Sequence, residues 1–410
     1  MPNIKPEIEA FARIKVIGAG GSGKNAVNHM IGSKVRGVDF IVVNTDAQDL
    51  HNSLAKKKIH IGKNITRGLG TGMNPDLGRR AAEENRDEIQ EIVKGSDMIF
   101  VTGGLGGGTF TGASSVIART AKELGCLTVA VATKPFFFEG RQRSRIADAG
   151  LEDLRKEVDA IIIIPNDRLL AAVDKETTVK NAFAMCDDIL RHAVEGIADL
   201  ITTPGLINID FADIRTVMEN AGSALMGIGR ATGENRAIEA AKAAINSPLL
   251  DVSINGAKGV LFSVAGGEDL TMFEIQDAAK AITESVDPEA KIIFGTVRDD
   301  KLKKDEVKVT VIATGFPEGH PAAIPARAPV AASASTVESA VSAINQAQDK
   351  PARGRIFNSL GIGGKDKDRE PVAAAVKTVD ISAKKDKDAA KDEDDDWGAV
   401  PAFLRRSRLK

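Results

Sequence analysis

The sequence predicts an α/β fold: a parallel sheet covered by helices, then one long central helix, a smaller α/β unit and a tail with no core of its own. Three observations carry this expectation. Short continuous apolar runs alternate with amphipathic stretches from residue 13 to about residue 166, the pattern of strands buried on both faces. Two glycine-rich turns each follow one of those runs and precede a helical pattern. Beyond residue 316 the chain becomes Ala/Pro-rich and then Lys/Asp-rich, with too little apolar surface to offset its chain entropy.

Taken in order, the strand-like runs are residues 14–17, 40–43, 98–101, 128–132 and 160–164, with helices at 25–31, 75–93 and 113–124. Residues 179–202 read as a helix in which Phe183, Cys186, Leu190, Ala193, Ile197 and Leu200 recur at spacings of three and four. Ile189 and Val194 widen its apolar face, so it packs on more than one side. The smaller unit alternates strands at 206–209, 259–265, 291–298 and 307–314 with helices at 211–220, 235–245 and 272–285. The expected partition is an N-terminal extension (1–12), a sheet domain (13–178), a central helix (179–203), a C-terminal domain (204–316), a disordered linker (317–391) and a terminal peptide (392–410).

Composition narrows the classes. A chain of 410 residues can hold two cores, and a net charge of −2 gives no argument for nucleic acid. Cys126 and Cys186 lie in apolar surroundings without the spacing of a metal site or disulfide framework, which points to a reducing cytoplasm. The charged, proline-containing start does not read as a signal peptide, and no apolar window is long enough to span a bilayer.

The chemistry gathers at the two turns. Gly18-Ala19-Gly20-Gly21-Ser22-Gly23 fits the dinucleotide fingerprint G-x-G-x-x-G, with Asp39 or Asp46 as the downstream acid, so a Rossmann oxidoreductase is one reading. The second turn, from Gly103 to Gly112, holds six glycines in ten residues, which a single dinucleotide fold does not require. Two such turns can clasp one triphosphate, because each exposes backbone N–H groups at a helix N-terminus. Ligands of parallel sheets bind outside the carboxyl ends of the strands. Both turns, residues 44–46, the 68–74 loop and the 133–140 loop all fall at that edge.

The second turn, centred on Thr109, resembles the G-G-G-T-G-T-G signature of the tubulin/FtsZ GTPase family. The motifs around it resemble that family's bacterial cell-division branch in order: residues 20–25, Asn44-Thr45-Asp46, residues 68–75, Pro135 to Gly140, Asn166, and Asn208 to Asp213. The resemblance ends at Val400-Pro401-Ala402-Phe403-Leu404-Arg405-Arg406, and only residues 318–392 lack a counterpart. It implies GTP as the bound nucleotide, with Mg2+ as its counter-ion and no dedicated protein metal site. By the same resemblance Gly20, Gly21, Ser22, Gly23, Lys24 and Asn25, with Gly106, Gly107, Gly108, Thr109, Phe110 and Thr111, cradle phosphates, beside Asn44 and Asp46. The loop bearing Gly70, Thr71, Gly72 and Asn74 senses the γ-phosphate. Glu139 and Arg143 face the ribose and phosphate side, Asn166 helps to place the base, and Phe183 and Asp187 stack on and hydrogen-bond the guanine. From the residues alone, Phe183 also fits core packing, Asp187 a solvated acid, and Arg141, Arg143 and Arg145 a solvated basic face.

Asn208, Asp210 and Asp213 are the implied catalytic residues. On spacing, the two acids sit one turn apart at a strand-to-helix junction, where they either polarise a water or cap the helix. The resemblance implies that they complete the GTPase site of the next copy in a head-to-tail filament of the division ring at midcell. It also implies that residues 397–406 bind a membrane tether such as FtsA- or ZipA-like proteins, which leaves membrane contact indirect. One departure stands out: Phe110 occupies the glycine between the two signature threonines. If that position is left-handed, a side chain there costs about 1–2 kcal/mol, a roughly five- to thirtyfold loss of affinity. A ring in the phosphate pocket would cost more. The alternative is therefore a filament-forming structural paralogue with weak or absent hydrolysis.

Overall fold

Strand and helix boundaries follow from where apolar runs meet glycine, proline and capping side chains. The structure, a computed structural model, describes residues 12–316 apart from 172–176, 204, 206, 208, 248–253, 255 and 300–301. The linker and terminal peptide expected at 317–391 and 392–410, and Asn208, lie outside the described residues.

The first half alternates β1 (Ile14–Ala19), α1 (Gly20–Gly32), β2 (Val38–Asn44), α2 (Ala47–His51), β3 (Lys57–His60), α3 (Lys63–Thr66), α4 (Pro75–Glu84), α5 (Arg86–Val93), β4 (Met98–Gly104), α6 (Thr109–Glu123), β5 (Leu127–Lys134), α7 (Arg141–Arg155), β6 (Ala160–Pro165) and α8 (Asn166–Ala171). The long helix α9 (Val179–Thr202) follows, then α10 (Phe211–Met218), β7 (Gly222–Thr232), α11 (Arg236–Ile245), β8 (Gly259–Gly266), α12 (Met272–Thr283), β9 (Lys291–Arg298) and β10 (Glu306–Thr314).

All ten strands form one sheet in the order β3-β2-β1-β4-β5-β6-β7-β10-β8-β9. The strands from β3 to β6 are parallel to their neighbours. β7 continues that parallel run through Ala160–Ile162 of β6 and then pairs antiparallel with β10. The expected two units are thus threaded on one sheet. An apolar cluster lies on each side of the first half: Val16, Met98 and Phe100 face α1 and α9, and Ile17, Ile99 and Val101 face α6.

Several expectations need correction. The first helix begins at Gly20, so the glycine turn is already its first turn. Residues 75–93 are two helices that break at Asn85, whose backbone is off the helical conformation (φ −109°, ψ 27°) and whose side chain accepts the Gly62 N–H and donates to Glu88. The strand expected at 206–209 is absent from its described residues: Ile207 exchanges hydrogen bonds with Thr296 of β9 but is in no strand. The strand that follows the central helix is β7 instead.

Candidate nucleotide site

β1 and β4 are adjacent, and the order 3-2-1-4-5-6 reverses between them. This is the switch point at which open α/β sheets leave a crevice at their carboxyl edge. Each strand runs into a glycine turn and a helix N-terminus, α1 and α6, so two sets of backbone donors converge there. The turns touch. Gly20 is left-handed at φ +71°, and a Cβ there would lie 3.3 Å from the Phe110 nitrogen. Ser22 Oγ accepts the Gly104 N–H at 2.7 Å, which bonds one turn to the other. Its hydroxyl hydrogen remains free to donate.

A second layer locks the loops behind the turns. Thr109 Oγ1 lies 2.9 Å from Thr45 Oγ1 and 3.3 Å from Thr71 Oγ1, and all three threonines are buried. A Cβ on Gly108 would overlap Thr71 Oγ1 and come within 2.8 Å of the Asn74 carbonyl, so glycine is required for the 68–74 loop to dock. Asn74 caps α4 through the Asp76 and Leu77 N–H groups, and Asp46 caps α2 through the Asp49 N–H. Gly70, Gly72 and Asn25 are exposed around this cluster, with Gly72 left-handed at φ +58°. Gly107 has open space where a side chain would stand, whereas Gly106, at φ +91°, is pressed against the Arg143 carbonyl. Thr111 Oγ1 accepts the Gly106 N–H at 3.0 Å.

Phe110 overturns the expectation placed on it. It lies in the first turn of α6 and is absent from the residues with positive φ. Its side chain is buried in the cluster that faces α6, with the ring seated on Gly103, where a Cβ would meet ring carbons at 2.7 Å and closer. There is no left-handed strain to charge to it, and the ring points into the core, not into the phosphate cradle. The absence of a side chain at Gly103 is what makes room for it.

On the opposite flank stands the other end of the site. Phe136 is buried, stacks on Phe138 at 5.0 Å and meets the edge of Phe183 at 5.2 Å, so Phe183 is braced by an aromatic pair. Glu139 accepts the Phe136 N–H and pairs with Arg143 at 2.7 Å. Arg141 and Arg145 are exposed, so the basic-face reading suits them and not Arg143. Asp187 is half-buried on α9, and burial pushes its carboxyl up to about 7, with the Lys24 charge opposing that rise. Asn166 is 5% exposed, and its Oδ1 has no hydrogen-bond partner. An unpaired buried acceptor costs about 1–3 kcal/mol, so Asn166 Oδ1 requires a donor from water or from a ligand.

The two acids stand apart from all of this. Asp210 caps α10 through the Ala212 N–H, Asp213 lies in its first turn, and both are exposed. Arg215, two residues on, donates to the Gly125 carbonyl at 3.0 Å. Gly125 follows the C-terminus of α6, whose N-terminus is Thr109 at the phosphate edge. Fifteen helical residues at about 1.5 Å each make α6 roughly 22 Å long. One rod therefore has the glycine turns at one end and α10 at the other.

Sequence reasoning placed Thr45 at the ligand edge without giving it a role, and missed Asp49. Asp49 holds Lys24 Nζ at 2.6 Å on Oδ1 and Asn44 Nδ2 at 2.8 Å on Oδ2. Its signal was its place three residues after the helix-capping Asp46 in a polar first turn, which reads equally as a solvated acid. Asp39, one of the two acids offered for a dinucleotide ribose, is exposed at the start of β2, away from the carboxyl edge.

Comparisons agree with this geometry. The family described as tubulin/FtsZ family, GTPase domain, matches residues 13–174, and the FtsZ family C-terminal domain matches residues 222–317. An empty FtsZ dimer from M. jannaschii is 45% identical, with a TM-score of 0.72 over 75% of this chain and 89% of that one. CetZ2 from Haloferax volcanii, in a GTPγS-bound protofilament, is 20% identical with a TM-score of 0.63 over 82% of this chain and 99% of that one, a likeness of fold. With a two-loop nucleotide crevice, matches to both family domains and a 45% identical relative, the chain belongs to the tubulin/FtsZ family of GTPases, on its FtsZ branch.

Proposed function

We propose that the chain binds GTP at the β1/β4 crevice and hydrolyses it only when a second copy, stacked head to tail, supplies Asp210 and Asp213, with Asn208 beside them. The observation that carries this is the length of α6: the acids and the glycine turns of one chain are separated by a rod of roughly 22 Å. Acids at one end of each copy and a phosphate cradle at the other meet only if copies repeat end to end. Such an interface is heterologous and open, so repetition makes a filament.

In this reading the N–H groups of the two turns and the N-termini of α1 and α6 hold the phosphates. Phe183 offers its ring face to the guanine, Asp187 accepts from its N–H edge, and Asn166 Oδ1 gains the donor it lacks. Glu139 and Arg143 border the ribose, and Asn44, Asp46 and the Thr71–Asn74 segment close over the phosphates. Mg2+ would neutralise the triphosphate through phosphate oxygens and waters. Among the described residues no group of three or more His, Cys, Asp or Glu side chains forms a separate metal site. The acids from the next copy would orient a water and take its proton as it attacks the γ-phosphorus, while the bond to the β–γ bridging oxygen breaks and GDP leaves with that electron pair.

The filament would serve as the scaffold of a division ring in the cytoplasm at midcell. Residues 397–406, aromatic and apolar between acidic and basic runs, suit a short peptide that folds onto an FtsA- or ZipA-like tether. Among the described residues no helix is long and apolar enough to cross a membrane. The second reading is a filament-forming paralogue with weak or absent hydrolysis; the strain and the intruding ring that motivated it are not features of Phe110, so turnover decides between the two. The test is GTP turnover against protein concentration, with polymer sedimented from the same samples. Turnover that sets in with polymer is expected; turnover per molecule that is constant down to concentrations without polymer would sink the shared-site reading.

A further inference from the structure

Lys24 and Asp49 form an ion pair beside the first glycine turn. Lys24 stands in the first turns of α1, just past the glycine turn, and its side chain is 12% exposed. Asp49 stands in α2, after the β2 turn, and is 29% exposed. Its two oxygens are both engaged: Oδ1 takes Lys24 Nζ at 2.6 Å and Oδ2 takes Asn44 Nδ2 at 2.8 Å. Asp49 Oδ2 also lies 3.6 Å from the point where Gly21 would carry a Cβ, so the carboxylate sits directly behind the first glycine turn. Asn44, turned by this bond, uses its own Oδ1 to accept the Thr45 N–H at 2.9 Å and the Asp46 N–H at 3.4 Å. Thr45 in turn reaches Thr109 of the second turn.

We propose that Asp49 is a positioning residue for GTP: one carboxylate ties α1 to the end of β2 and, through Asn44 and Thr45, holds the first glycine turn in register with the second. The inference rests on the reading of the crevice as a GTP site. Asp49 has no part in the chemistry. It acts through Lys24 and Asn44, whose charge-assisted bonds to it are of the stronger kind. Lys24 is thereby held against α2, and its charge stays where it opposes protonation of Asp187.

The experiment measures GTP and GDP affinity by calorimetry on the full chain below the assembly concentration, and KM and kcat above it, for wild type, Asp49→Ala, Asp49→Asn and Lys24→Met. Asp49→Ala is expected to weaken both nucleotides about tenfold and to raise KM by the same factor, with kcat at saturating GTP within twofold. Asp49→Asn, which can still accept from Asn44, is expected to recover most of the loss. In the double variant Lys24→Met/Asp49→Ala, losses smaller than the sum of the singles would support the shared tie. Three results would overturn the proposal, the last of them a loss of stability alone. Unchanged affinity in Asp49→Ala would make the pair a surface contact, and tighter binding would make Asp49 a competitor of phosphate for Lys24. Absence of GTP binding in wild type would instead defeat the nucleotide reading itself, a separate outcome. A fall in kcat and in the unfolding temperature of nucleotide-free Asp49→Ala, with KM unmoved, would assign Asp49 to stability alone.

Discussion

The two ends of α6 are built on opposite plans. At its N-terminus every loop is fixed from inside the same chain: Thr109 by Thr45 and Thr71, Gly104 by Ser22, Asn44 and Lys24 by Asp49. At the other end, α10 is fastened through Arg215 and Gly125, yet Asp210 and Asp213 face solvent. A binding site must be preorganised before its ligand arrives. A group that acts on another copy must be left outside its own core. The contrast teaches which residues should fail in a lone subunit and which only in an assembly.

The largest expected effect tests the interior of the N-terminal end. Phe110→Gly should destabilise the fold by about 4 kcal/mol, since it empties a buried aromatic site and puts glycine in a helix. A lower unfolding temperature checks this; unchanged stability with faster turnover would mean the ring does obstruct the phosphates. Next comes the far end. Asp213→Ala should lower turnover at least a hundredfold, within the span of a lost general base, while GTP affinity stays within twofold. Mixing this variant with an Asp187→Ala chain, which keeps its acids but binds GTP poorly, should restore part of the turnover if sites are shared between copies. Gly108→Ala should cost about 1–3 kcal/mol through overpacking against Thr71 and Asn74, seen as weaker GTP binding without loss of the acids' action at saturation.

The smallest effect is a pH dependence. Burial lifts the Asp187 carboxyl of the free protein to about 7, and in the proposed site the carboxylate is the form that would accept a guanine N–H. Affinity should therefore be full above about pH 7 and fall about tenfold per unit below it, with Asp187→Asn flattening the profile. Stability of the nucleotide-free protein should move the other way. A carboxyl with a raised folded-state pKa favours the folded state as pH falls from about 7 towards its unfolded value near 4. Calorimetry between pH 8 and 5.5 reads both.

What the sequence disclosed, and what it hid, follows the same physics. The strands β1, β2, β4, β5 and β6 were legible because strands buried on both faces are unbroken apolar runs. β3, Lys57–His60, was not, since as an edge strand it buries only Ile59 fully. β7 was hidden by its own glycines. A Cβ at Gly227 or Gly229 would strike the carbonyl of Ala244 or Ala240, so these glycines are what allows α11 to lie against the strand. α7 was masked by its charges, four of its first nine residues being ionised. In the site, backbone cradles were legible because glycine announces them. Side-chain ties such as Asp49 were not, for an acid in a helical first turn looks the same whether it holds two partners or none. Phe110 was misjudged because a signature residue was weighed alone, without Gly103 beneath it.

β7 has a mechanical consequence. It grips β10 along Glu306–Ala313 but meets β6 only through Gly222–Ala224. In a chain pulled from both ends, tension carried by the sheet has to cross that short ladder. Within the sheet that ladder is the shortest link, and it is backed by the apolar cluster in which α9 packs against residues from both sides of the junction. Deformation between the two halves of the sheet is therefore resisted less by β-ladder hydrogen bonds than by side-chain packing on α9.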